Sequence, residues 1–305
     1  MILLAAPGQG AQTPGFLQPW LEVPGVADRL AWWSAVTGLD LVRYGTTADA
    51  EEIRDTAVAQ PLLVAAALAA YEALYGDQDA APGAVAGHSV GELAAAAIAG
   101  VLSPEAALVL VRERGRAMAE AAAITETGMT AVLGGEADEV LASIDKHGLT
   151  PANVNGAGQV VAAGTAERLA AFADEPPAKS RLRSLAVAGA FHTEHMAPAV
   201  DTLRRLAPGA PVADPRVPLL QNRDGAVVDS GREFVARLVD QVSAPVRWDA
   251  CMETMRTLGV TAIIELPPAG TLVGLARREL KGVPTLALKT PDDLAKAREL
   301  IKEHS

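Results

Sequence analysis

A single cysteine, Cys251, stands among 305 residues, so no internal disulfide can form. That excludes the small disulfide-stapled scaffolds of secreted proteins and sets the expectation of a reduced, cytoplasmic protein. Positive charge is also in short supply: 26 Lys and Arg face 37 Asp and Glu, for a formal charge of −11. Non-specific nucleic-acid binding needs a basic surface to displace counterions, so that class is set aside. An acidic partner would have to be met by a local basic patch, against the overall field. Long hydrophobic runs are missing. No uninterrupted apolar stretch approaches the length of a membrane span, so no membrane contact is expected. The N-terminal run Ile2 to Ala6 is too short for the core of a signal peptide and follows no basic residue. No group of His, Cys and carboxylates has ligand spacing, so no metal is expected. Internal repeats and low-complexity linkers are absent as well.

What is present is a chain half apolar, enough for a large core. Its most informative stretch is Ala84-Val85-Ala86-Gly87-His88-Ser89-Val90-Gly91-Glu92. A short apolar strand ends in Gly-His-Ser-Val-Gly, and an alanine-rich helical pattern begins at once. A serine on such a turn is thrust clear of the sheet, and the first N–H groups of the helix point where its Oγ would attack. Read alone, the pattern is equally a strand-to-helix turn that happens to hold a serine.

Strand-like and helix-like segments alternate along the chain, which favours α/β architecture with a parallel sheet. Ile2 to Ala6 reads as the first strand, followed by the loop Pro7-Gly8-Gln9-Gly10-Ala11-Gln12. Thr13 stands where a dinucleotide fingerprint would need its third glycine. Gln60-Pro61 opens a buried helix to about Leu74, with Pro61 in its first turn. Ser103 caps a helix running through Ala121. Within it, the three arginines of Val111-Arg112-Glu113-Arg114-Gly115-Arg116 read as a solvated face. From Gly128 the order becomes β-α-β-β-α-β: strands Met129–Leu133, Pro151–Asn155, Val160–Ala163 and Ser184–Ala188, helices Asp138–His147 and Ala166–Asp174. That is the ferredoxin-like order. Beyond it come a helix at 197–206, a strand Val217–Gln221, the turn Asn222-Arg223-Asp224-Gly225, a helix Glu233–Val242, a strand Thr261–Leu266 and a C-terminal helix capped by Thr290. The fold class expected is α/β: an α/β-hydrolase-like large subdomain with a parallel sheet, residues 1–127 and 193–305, and an inserted ferredoxin-like small subdomain, residues 128–192. His192 lies at the junction, where clefts form. A lone histidine there also reads as a structural hydrogen-bonding residue.

Taken together, Gly8-Gln9-Gly10-Ala11-Gln12, Gly87-His88-Ser89-Val90-Gly91-Glu92, Arg114-Gly115, Asn155 in Asn153-Val154-Asn155-Gly156, and Phe191-His192 recur in this order and spacing in a known family. Over essentially its whole length the chain resembles the malonyl-CoA:acyl-carrier-protein transacylases and the acyltransferase domains of polyketide and fatty-acid synthases. The stand-alone actinobacterial type-II fatty-acid synthesis enzymes look most similar. The resemblance implies a ping-pong transfer with malonyl-CoA and acyl carrier protein as partners, no cofactor, and monomeric action. Ser89 would be the nucleophile and His192 its base. The N–H groups of Val90 and Gln9 would hold the oxyanion. Arg114 would pair with the free carboxylate of the malonyl group, since a guanidinium offers two parallel donors. The substrate-binding set would further include Gln9, Asn155, Phe191, Gln60 and Met118, with Phe191 and Val90 matching malonyl-selecting members.

In the family a backbone carbonyl orients the histidine, and the resemblance places it at Arg247, where relatives can have glutamine. Glu194, Asp224 and Asp249 are alternatives. A basic rim for the acidic carrier would draw on Lys179, Arg181, Arg183 and Arg116. Two other readings remain at this level. A serine thioesterase or esterase of α/β-hydrolase type would share Ser89 and His192 but call for a carboxylate third member and an HGGG-type loop. A non-catalytic carrier-docking module would need none of the three side chains together.

Overall fold

The computed structural model describes residues 1–76 and 81–304. Among the described residues nine strands form two sheets: β1 Ile2–Ala6, β2 Ala84–Gly87, β3 Thr127–Gly134, β4 Thr150–Gly156, β5 Gln159–Thr165, β6 Ser180–Ser184, β7 Val246–Arg247, β8 Ala262–Glu265 and β9 Thr285–Ala287. The first sheet has the order β2-β1-β8-β9, and each neighbouring pair is parallel. Three of its four strands, Ile-Leu-Leu-Ala-Ala, Ala-Val-Ala-Gly and Ala-Ile-Ile-Glu, are buried throughout, as parallel strands covered by helices on both faces must be. The strand expected at Val217–Gln221 is reduced to isolated bridges at Leu219 and Leu220. Pro218 has no N–H to give a ladder; only its carbonyl is used, accepting from Val85.

The apolar helix begins at Thr56 and not at Gln60, with the Asp55 carboxylate accepting from the Ala57 N–H at 2.8 Å as its cap. Pro61 therefore sits inside the helix and leaves the Ala57 carbonyl without its helical donor. Arg112 Nη1 takes up that oxygen at 3.4 Å. By length and composition Thr56–Tyr75 could cross a membrane. Here it is a core helix, buried along most of its length and packed against the helix Pro104–Ala122.

The second sheet has the order β6-β3-β5-β4-β7. Its first four strands carry the ferredoxin-like arrangement, antiparallel throughout. The helices Ala137–Lys146 and Ala166–Asp174 cover them through a small core of Val132, Val140, Ile144, Leu149, Ala162 and Phe172. β7, from much later in the chain, extends the sheet by pairing parallel to β4. The last ferredoxin-like strand is Ser180–Ser184 instead of Ser184–Ala188. It is an edge strand whose Arg181 and Arg183 face solvent, so it lacks the apolar run that marks a buried strand. The apolar stretch Leu185–Val187 lines a cleft.

Candidate active site

β2 leads into the helix Gly91–Ile98 through three residues, and the crossing is too tight for side chains. A Cβ on Gly87 would lie 2.1 Å from the Gly91 carbonyl carbon, and one on Gly91 would lie 2.2 Å from the Ala6 oxygen. Ser89 at the tip has φ +53°, a left-handed conformation that a non-glycine residue holds only when its surroundings over-determine it. Asn222 supplies much of that restraint. Its Oδ1 accepts from the Ser89 N–H at 2.7 Å and its Nδ2 donates to the Gly87 oxygen at 2.7 Å.

The Ser89 hydroxyl is 2.7 Å from His192 Nε2. His192 is 3% exposed and also left-handed, with φ +62°. Its Nδ1 donates to the Gln241 carbonyl at 2.9 Å, and its N–H to the Val242 carbonyl at 3.2 Å. With the ring proton committed to that carbonyl, Nε2 presents its lone pair to the hydroxyl. Burial, helped by the positive charge of Arg114, pushes the His192 pKa down to about 3, so the ring is neutral at physiological pH.

The carbonyl on the histidine is thus that of Gln241, which corrects the assignment to Arg247. Arg247 is exposed on β7, its side chain paired with Asp249 at 2.9 Å and its N–H donating to the Asn222 carbonyl at 2.7 Å. Asp224 is engaged by Arg237. Neither aspartate meets the ring.

Arg114 is 1% exposed and is no part of a solvated face. Its Nη1 donates to Gln60 Oε1 at 2.7 Å, and its Nη2 donates to Gln241 Oε1 at 3.0 Å and to Ser89 Oγ at 3.3 Å. Burial lowers its pKa to about 10, which leaves it charged. Gln60 is held in turn by its Nε2 on Met118 Sδ, 3.4 Å away. Phe191 is buried in the large core directly before the histidine.

Gln9 lies on the loop after β1, donating through Nε2 to Thr56 Oγ1 at 3.2 Å, while its Oε1 is buried without a partner. Among the described residues the main-chain N–H groups of Gln9 and Val90 find no acceptor. Asn155 on β4 meets His88 through Oδ1 and Nε2 at 2.9 Å. A cleft of about 400 Å³ runs beside this pair, lined by Gln9, His88, Asn155, Arg183 and the helix Thr271–Glu279. Among the described residues, no group of three or more His, Cys, Asp or Glu is placed to hold a metal ion.

Three residues of this constellation were not assigned from the sequence: Gln241, Asn222 and Glu92. Glu92 is fully buried, its Oε1 accepting from the Asn222 N–H at 2.6 Å and its Oε2 from Gln241 Nε2 at 2.5 Å. Asn222 belongs to a turn-rich loop that composition alone reads as a surface connection. Gln241 ends an amphipathic helix and carries no local pattern.

Against known proteins, the sequence profile described as "Acyl transferase domain" matches residues 7–295. The malonyl CoA-acyl carrier protein transacylase of Mycobacterium tuberculosis is 54% identical over 299 residues, 96% of this chain and 98% of that protein. A crystal structure of MCAT from Mycobacterium tuberculosis superposes with a TM-score of 0.92 at 53% identity, covering 98% of this chain and 99% of that one. A type II PKS acyl-carrier protein in complex with its malonyl-transacylase offers a further neighbour, with a TM-score of 0.93 at 31% identity and the same coverage.

Proposed function

This chain belongs to the acyl transferase domain family, and from that membership we infer its reaction: transfer of a malonyl group from malonyl-CoA to the phosphopantetheine thiol of acyl carrier protein, through an ester on Ser89. The observation that carries the reading is the meeting of three groups, Ser89 Oγ at 2.7 Å from His192 Nε2 and 3.3 Å from Arg114 Nη2. The chain's own hydroxyl, imidazole and guanidinium supply the parts, so the reading calls for no cofactor. The cytoplasm is the compartment that fits it.

In the first half-reaction Ser89 Oγ attacks the thioester carbonyl as its proton passes to His192 Nε2. The C–S bond breaks, and the CoA thiolate leaves with that proton. The imidazolium formed on the way is held by the Gln241 carbonyl at Nδ1. The free N–H groups of Gln9 and Val90 are the donors for the developing oxyanion, and losing one such donor typically costs about 3 kcal/mol of transition-state stabilisation. Arg114 receives the far carboxylate, and each charge-assisted hydrogen bond there contributes about 1.5 to 3 kcal/mol. In the second half-reaction the carrier thiol loses its proton to His192, attacks the ester, and returns Ser89 to its hydroxyl form. Arg183 borders the cleft and Arg181 and Lys179 are exposed beside it, a basic edge suited to an acidic carrier. Arg116 is turned to its own helix neighbour Glu113.

A thioesterase of α/β-hydrolase type would place a carboxylate on His192 Nδ1, where a main-chain carbonyl stands. The intact mass of the protein after mixing with malonyl-CoA decides between the readings. A malonyl adduct at Ser89, absent in Ser89→Ala and discharged only when carrier protein is added, is the expected result. Immediate free malonate would mean hydrolysis, and no adduct would overturn acyl transfer.

A further inference from the structure

The reaction above makes no use of Glu92, although it is a carboxylate with no exposed surface directly under the nucleophile. Its carboxylate oxygens accept from the Asn222 N–H at Oε1 and Gln241 Nε2 at Oε2, and the Gln221 side chain beside it also favours the charged form. The Gln241 amide lies between this anion and the buried guanidinium, its Oε1 toward Arg114 Nη2 at 3.0 Å and its Nε2 toward Glu92. The same Nε2 also faces two further acceptors, the Ser89 carbonyl at 3.3 Å and Asn222 Oδ1 at 3.2 Å. The amide therefore has a single workable orientation, oxygen to the cation and nitrogen to the anion.

Resting on the malonyl-transfer reading, we propose that Glu92 is a positioning residue for acid recognition: its carboxylate, acting through the Gln241 amide, aims Arg114 at the free carboxylate of the acyl group. Protonating Glu92 breaks the arrangement at its centre. An O–H at Oε2 would face the Gln241 Nε2 donor, and flipping the Gln241 amide to accept it would turn its NH₂ onto Arg114 and away from Ser89.

The charged and titratable groups around Glu92 leave it alone to titrate near neutrality. Arg114, lowered by burial only to about 10, stays charged. His192, pushed down to about 3, stays neutral, and burial likewise lowers His88. Cys251, on the helix Trp248–Thr257, is raised by burial and by the Glu92 charge and stays a thiol. Burial raises Glu92 itself to about 8, against the pull of Asn222 and Arg114. A carboxylate raised in this way is lost as pH falls through that value, so Arg114 is best aimed on the alkaline side.

The test follows single-turnover acylation of Ser89 by malonyl-CoA and by acetyl-CoA, whose acyl group has no carboxylate for Arg114. In the unaltered protein the malonyl-to-acetyl rate ratio should rise about tenfold or more between about pH 6 and pH 9, a change set by one titrating group. In Glu92→Gln the ratio should be low and flat, with malonyl acylation down about tenfold to a hundredfold from the lost charge-assisted contacts and acetyl acylation much less affected. Glu92→Asp, which keeps the charge, should restore part of the pH slope. A flat ratio in the unaltered protein overturns the proposal without recourse to any variant. So does an equal loss toward both thioesters in Glu92→Gln, the mark of a purely structural role. Failure of the unaltered protein to form any malonyl adduct overturns the malonyl-transfer reading and this proposal with it.

Discussion

The parallel sheet and the five-stranded sheet flank one cleft yet are built to different tolerances. β1, β2 and β8 are buried at every residue, whereas β6 has no buried residue and β3 is buried only along its middle. Ser89 and Gln9 project from the C-terminal ends of the buried strands, the edge where open α/β sheets place their binding sites. The second sheet contributes Asn155 and one wall of the cleft. Left-handed residues occur beside both sheets, at the exposed Lys179 and the Ala157 turn as well as at Ser89 and His192, but around Ser89 the packing leaves the backbone no room to relax. The left-handed Ser89 sits where neither neighbouring glycine can take a methyl group.

The contrast can be broken most severely at that crossing. Gly91→Ala should cost about 3 kcal/mol or more, because the backbone must part to admit the new atom. A lowered urea midpoint, with Ser89 acylation lost in the same samples, is the expected record. Arg181→Ala on β6 should by comparison stay within about 0.5 kcal/mol. If both substitutions move the midpoint equally, the two sheets do not differ as described.

Next in size is Arg114→Ala. Removing the guanidinium should lower kcat/KM for malonyl-CoA about a hundredfold while acetyl-CoA loses far less. Parallel losses would show that the arginine serves the fold and not the acyl carboxylate. The smallest effect belongs to the second sheet. Asn155→Ala removes the partner of His88 Nε2 and should slow acylation only about fivefold, the scale of one neutral hydrogen bond. A loss as large as that of Arg114→Ala would move the second sheet into the chemistry itself.

How much was legible in the sequence divides along the same line. The strands β1 and β2, the nucleophile turn and the Ser103 and Thr290 caps are written in neighbouring residues, where buried runs, glycines and capping side chains act locally. The mixed α/β fold with its parallel sheet followed from these signals. β6 was misplaced because an exposed edge strand has no apolar run to read. The Thr56–Tyr75 helix was begun too late because its proline is tolerated through a long-range donor, Arg112, that no local pattern announces. On composition alone Arg114 reads as part of a solvated face, because its partners Gln60 and Gln241 are distant in the chain, and only the ordered set of motifs singles it out. The Asn222–Glu92–Gln241 network is wholly a product of tertiary folding.

Arg247 makes no contact with the histidine and serves the fold through its main chain. Its amide hydrogen ties the Asn222 turn to β7, and β7 is stitched by backbone to β4, so a two-residue strand links the nucleophile's support to the far wall of the cleft. Only main-chain atoms make that stitch. The stitch therefore bars proline at position 247, which has no amide hydrogen to give to Asn222.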